Sequence, residues 1–181
     1  MADELDDLEI SYDVVHRSDH RDYKFADGEK ALIVRSRSGA KDFMTPGGCW
    51  AAIQITTYPD DWPTLNATKR LGLLRLAFLD MDRHVVGIEE HDSWSNGSRL
   101  FTPENADQIL DFVEEMWDKV DLFLVHCEAG ISRSPAVAAA LCKIKHGHDK
   151  HYFDNYTPNR LVYRTLLERA VSRGILVPST P

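Results

Sequence analysis

The chain has 181 residues, enough to bury one substantial core and too few for two comfortable domains. Its 43% hydrophobic and 28% charged residues are the proportions of a globular domain in water, and no apolar run approaches the roughly 18 residues of a membrane span. A formal charge of −8, with the basic residues scattered, excludes the basic stripe of a nucleic-acid binder.

The chain opens in "MADELDDLEI", an acidic stretch without the apolar core of a signal peptide, and residues 1–9 are expected to be frayed. Short apolar runs bounded by polar residues follow at 30–36, 51–57 and 73–80, and read as buried strands. A helix is expected over 102–120, with Thr102 as N-cap, Pro103 in the first turn, and Ile109, Val113, Met116 and Val120 on one face. "DLFLVHC", 121–127, is the fourth strand. Ser134 and Pro135 announce a helix that runs to Gly147. "HGHDKH", 146–151, has the composition of a metal-binding tract, but no ligand geometry follows from it and it reads as a polar loop. Thr157 and Pro158 announce a last helix, carried by Leu166 and Ala170 and ended by Gly174. No repeat or low-complexity segment divides the chain. Strands alternating with helices predict one α/β domain over 1–181, a central, mostly parallel sheet flanked by helices.

Cys49, Cys127 and Cys142 are an odd, widely spaced set without a CxxC pair. They argue against a disulfide framework or structural zinc site and for a reducing, cytoplasmic setting. Cys142 falls on the apolar side of its helix and reads as core, and Cys49 as a residue leading into a strand.

The chemistry concentrates in "HCEAGISRSP", 126–135, between a strand and a helix. A loop wrapped into a helix N-terminus points successive backbone N–H groups at its centre and makes an anion cradle. Gly130 permits the wrapping. Arg133 on the rim offers a planar fork to two oxygens of a phosphate. Cys127 sits at the base, where amides and helix dipole favour a thiolate nucleophile.

"HCEAGISRS" resembles the signature HCxxGxxR[ST] of the cysteine-dependent protein tyrosine phosphatases. From about residue 30 the chain is most similar to their dual-specificity-like prokaryotic branch. "TPNR" resembles the Pro-Asn that opens the last helix of dual-specificity enzymes, and "AAIQITTYPDDWPTLN" followed by "LLRLAFLDMD" resembles the strand, connection and strand of the prokaryotic branch. The resemblance implies a phosphocysteine on Cys127, with Arg133 and the amides of Glu128, Ala129, Gly130, Ile131, Ser132 and Arg133 holding phosphate. It implies that Ser134 hydrogen-bonds the departing thiolate, and that His126 fixes the loop and keeps the cysteine acidic. No metal or organic cofactor is implied, since arginine and amides supply the positive field.

A phosphomonoester also needs its leaving oxygen protonated. The family places this acid as an aspartate after an upstream strand, about four residues beyond an apolar position. Counting from Leu76 gives Asp80, and from Phe78 gives Asp82. The phenylalanine of the prokaryotic branch favours Asp80. Spacing to Cys127 alone favours Asp92, but no strand precedes it, so residues 83–101 read as an inserted loop bordering the site.

Glu128, Ala129, Ile131 and Ser132 are the variable loop residues that tune the substrate in this superfamily. Without lysines there, the loop is unsuited to a highly phosphorylated lipid headgroup. It suits a phosphorylated protein or peptide, phosphotyrosine first, with phosphoserine and phosphothreonine open. Trp94 and Phe101 are candidates for a wall against a phenyl ring, or for a packed cover. Low-molecular-weight phosphatases and arsenate reductases carry such a loop near the N-terminus, and a rhodanese fits the HC…GxxRS context badly. A phosphatase of a non-protein phosphomonoester, or a non-catalytic phosphate-binding module, are the remaining alternatives.

Overall fold

A computed structural model describes residues 26, 28–45, 47–82 and 100–176. In chain order these form β1 (Ala31–Arg35), α1 (Arg37–Lys41), β2 (Trp50–Thr56), β3 (Arg70–Ala77), α2 (Pro103–Met116), β4 (Leu122–His126), α3 (Arg133–His146), α4 (Lys150–Asn155) and α5 (Arg160–Ser172). The four strands make one sheet in the order β1-β4-β2-β3, and every pairing is parallel. The expected α/β architecture is therefore the observed one.

Alternation sorts each strand onto two faces. Ala51, Ile53 and Ile55 of β2, with Phe123 and Val125 of β4, enter the larger core beneath α2, α3 and α5. Trp50 and Ala52, with Leu122 and Leu124, enter a smaller core capped by Ala40 and Phe43. Phe43 meets Trp50 edge-on at 5.2 Å, and the Trp50 indole N–H donates to Thr68 O at 2.8 Å. Burying one such isoleucine fully contributes about 2 kcal/mol. Cys127 continues the Phe123–Val125 parity and lies in the larger core.

α2 begins as expected: Thr102 Oγ1 accepts from Asn105 N and Asn105 Oδ1 accepts from Thr102 N, a reciprocal cap. It ends at Met116, so Val120 is buried but lies beyond the helix. The other two expected starts are corrected. α3 begins at Arg133, with Ser132 at the cap position, so Ser134 and Pro135 are already inside the helix. α5 begins at Arg160, because Asn159 Oδ1 accepts from Val162 N at 3.0 Å, so Thr157 and Pro158 precede it. Gly147 does end α3, with φ +82°.

The first ten residues of α3 are buried, and Ala136, Ala138, Ala139 and Ala140 let it approach the sheet and α5 closely. Two short helices lack a long periodic signal and were not expected. α1 is held by Ser36 Oγ on Gly39 N, and α4 takes up the end of the tract read as a loop. Tyr152 of α4 is buried, with its hydroxyl donating to Leu32 O at 2.8 Å. Among the described residues no helix is long and apolar enough to cross a membrane. Residues 1–9, Asp92 and Trp94 lie outside the described residues.

Candidate active site

β4 lies inside the sheet, between β1 and β2, and it delivers residues 127–132 to the C-terminal edge of a parallel sheet. Ligands of such sheets bind at that edge.

The loop is fastened through its carbonyls. Glu128 O accepts from Arg37 N at 3.0 Å, Ile131 O from Thr157 N at 3.1 Å, and Ser132 O from Asn159 N at 3.0 Å. In a trans peptide the next N–H points opposite to the carbonyl. The amides of Ala129, Ser132 and Arg133 therefore point away from those flanking elements. Gly130 has φ +71°, and a Cβ there would meet Ser36 N at 2.7 Å and the Arg35 carbonyl carbon at 2.8 Å. Only glycine lets the loop turn against the β1–α1 corner.

At its base Cys127 is 2% exposed, and the Ser134 hydroxyl donates to its Sγ at 3.1 Å. Arg133 is 4% exposed. Its Nη1 donates to Phe78 O at 2.9 Å and to Thr57 Oγ1 at 3.2 Å, so one corner of the fork is tied to the ends of β3 and β2. Its Nε has no hydrogen-bond partner among the described residues, and the nearest carboxylate oxygen, Asp80 Oδ2, is at 3.9 Å. A buried guanidinium with an unmet donor is suited to an anion.

The candidate carboxylates separate. Asp80 Oδ1 accepts from Ser132 Oγ at 2.6 Å and from Asn159 Nδ2 at 2.8 Å, which puts this residue against the loop. Asp82 Oδ1 instead accepts from Arg160 N at 2.9 Å, at the start of α5. His126 is fully buried on the other face of β4, and burial holds its imidazole neutral, with a pKa lowered to about 4. Its Nδ1 lies 3.5 Å from Cys127 O. Through that contact it can brace the loop.

Among the variable residues, Ile131 is 54% exposed at the mouth. The Glu128 carboxylate turns to Arg37, both oxygens at 3.3 Å from Nη1, so its charge is offset by a neighbour. Phe101 is buried and packs edge-on against Phe78 at 4.9 Å; it is core, not a wall for a substrate ring. Cys142 is core as expected, and Cys49 is a half-buried residue just before β2. Among the described residues no group of histidine, cysteine and carboxylate side chains could hold a metal ion.

Sequence reasoning passed over Thr57 and Asn159 as site residues. "TPNR" marked Asn159 as a helix start, and its second contact, to Asp80, spans 79 residues. Thr57 carried no local signal.

No protein-family model matches the chain, and no curated protein matches it by sequence. Solved structures do. The human tyrosine phosphatase-like serine/threonine/tyrosine-interacting protein is 17% identical, with TM-score 0.53 over 78% of this chain and 92% of its own. A mouse protein described as a dual specificity phosphatase, complexed with zinc tungstate, is 17% identical, with TM-score 0.56 over 80% and 87%. Human DUSP28 is 16% identical, with TM-score 0.53 over 79% and 93%. At such identities the likeness is one of fold, and one of the three is named as an interacting protein rather than an enzyme. The chain has the fold of the cysteine-dependent phosphatase superfamily in its dual-specificity form.

Proposed function

We propose that the chain is a phosphatase that hydrolyses phosphomonoesters of proteins, phosphotyrosine first and phosphoserine or phosphothreonine with it, through a phosphocysteine on Cys127. The observation that carries this is the tethered, buried Arg133 with an unmet Nε donor, beside a cysteine whose sulfur already has a hydroxyl donor.

In this reading Arg133 and the loop amides bind the phosphoryl oxygens and hold the phosphorus in line with Cys127 Sγ. The thiolate attacks, the P–O bond to the substrate breaks, and Asp80 gives its proton to the departing oxygen. Asp80 Oδ1 already accepts from Ser132 and Asn159, so Oδ2 is the oxygen that carries the proton. Water then attacks the phosphocysteine, Asp80 takes a proton from it, and the S–P bond breaks. The Ser134 hydroxyl stabilises the sulfur as it leaves with negative charge. Positive field from the arginine and amides does what metal ions do in other phosphatases, so turnover should survive a chelator.

The test is phosphate release from matched phosphotyrosine and phosphothreonine peptides, with chelator present and Cys127→Ser as control. Release from either that vanishes in the variant supports the reading; tyrosine alone means a deep pocket, both mean a shallow one. Cleavage of an activated aryl phosphate alone would move the substrate outside proteins. Phosphate binding with no turnover on any ester would make the chain a binding module.

A further inference from the structure

Beside the loop one cation is held by acids from two connecting segments. The Arg37 guanidinium, in the first turn of α1, grips Asp61 with two prongs, Nη1–Oδ2 at 2.7 Å and Nη2–Oδ1 at 2.6 Å. The same Nη1 reaches both oxygens of Glu128 at 3.3 Å, while the Arg37 amide donates to Glu128 O at 3.0 Å. Glu128, the residue after Cys127, is thus fastened by both its main chain and its side chain.

The electrostatic problem is specific. A carboxylate stands in a loop whose amides and arginine otherwise favour an anion, and a bound phosphate would repel it. Turned onto Arg37, the carboxylate is partly neutralised. Asp61 in turn fixes Arg37: a bidentate pair leaves a guanidinium little freedom to swing elsewhere. Thr57, four residues before Asp61, contacts Arg133, so the 57–61 segment meets Arg133 at one end and Arg37 at the other.

We propose that Arg37 is a positioning residue that holds the Glu128 carboxylate away from the anion bound in the loop, and so sets the affinity of the site for phosphate. This rests on the phosphate-binding reading of the loop and adds a residue outside its signature. Arg37 acts through Glu128, so its effect depends on the acid being there.

The experiment titrates inorganic phosphate into the full chain by calorimetry and reads kcat and KM on an activated aryl phosphate. Arg37→Gln should weaken phosphate about tenfold and raise KM in proportion, the cost of a facing like charge at a surface dielectric. In a Glu128→Gln background the same substitution should cost less than about twofold, because the charge it screens is gone. An equal loss in both backgrounds would make Arg37 a structural brace and overturn the proposal, as would unchanged affinity in Arg37→Gln. If Arg37→Gln does not fold, Arg37→Lys keeps the charge without the fork; affinity within about threefold of the parent is then expected, and a tenfold loss overturns the proposal. Calorimetry needs no turnover. A parent chain that binds phosphate but cleaves nothing therefore sinks the enzyme reading and leaves this test intact. A parent chain that binds no phosphate overturns both.

Discussion

α3 has a cysteine near each end, and both sulfurs have a polar neighbour. Cys127 precedes its N-terminus and accepts from Ser134 Oγ at 3.1 Å. Cys142 lies in its last turns, 3.5 Å from His148 Nδ1, and His148 Nε2 is 2.9 Å from Glu29 Oε1. On paper the second arrangement, thiol, imidazole and carboxylate in a row, looks the more like a nucleophile. Its field has the wrong sign. Burial first, then the Glu29 and Asp149 charges, push the Cys142 thiol up to about 12, and the C-terminal end of a helix adds further negative potential. At the other end the helix N-terminus and Arg133 supply the opposite field. The lesson is that the potential around a thiol decides its chemistry more than the identity of its nearest neighbour.

Exchanging the two thiols gives the largest expected effect. Cys127→Ser should lower phosphate release by at least about 10⁴-fold, while Cys142→Ala should leave it within about twofold. Mass spectrometry after brief iodoacetamide treatment should find Cys127 alkylated, with protection by inorganic phosphate, and Cys142 untouched. Equal labelling of both would break the comparison.

The buried histidine at the Cys127 end sharpens it. The unfolded chain protonates His126 near its ordinary pKa of 6.5, the folded chain only near 4. Its contribution is therefore complete above pH 6.5 and drains away as pH falls from 6.5 to 4, by about 3 kcal/mol across that window. Urea midpoints against pH should show this slope, and His126→Asn should flatten it.

Smaller still is the acid. Asp80→Asn should slow a poor leaving group by about 10²-fold and an activated aryl phosphate far less. Equal slowing of both would transfer the role to Asp82 or another carboxylate. The smallest effect belongs to the Cys142 end: Glu29→Gln, which weakens the contact to His148, should leave turnover within about twofold. A large loss there would mean that the two ends of α3 are coupled.

The parts legible in the sequence were those with local causes. Apolar runs ending at polar residues placed all four strands to within a few residues, and "HCEAGISRS" between strand and helix located the loop. Capping rules misled at 134–135 and 157–158 because a Ser-Pro or Thr-Pro pair satisfies the rule wherever it stands; the loop and Asn159 set the true starts. Asp80 and Asp82 were inseparable by spacing, since what distinguishes them is the company of Ser132 and Asn159, brought in from 52 and 79 residues away. Arg37 and Thr57 reach Glu128 and Arg133 across 91 and 76 residues and leave no trace in any short window.

The central place of β4 has a consequence for adaptability. A strand hydrogen-bonded on both sides, with every residue buried, belongs to the last unit of a domain to open. Amide exchange at Leu122–His126 should then require global unfolding, and the loop that follows inherits that rigidity at its first residue. β2 shares that place, so accommodation of differently shaped substrates falls to the chain beyond the strand ends, at Thr57–Asp61 and Asp80–Asp82, where Thr57 and Asp80 meet Arg133 and Ser132 through side chains. Change in specificity should therefore accumulate in those two segments while β4 stands still.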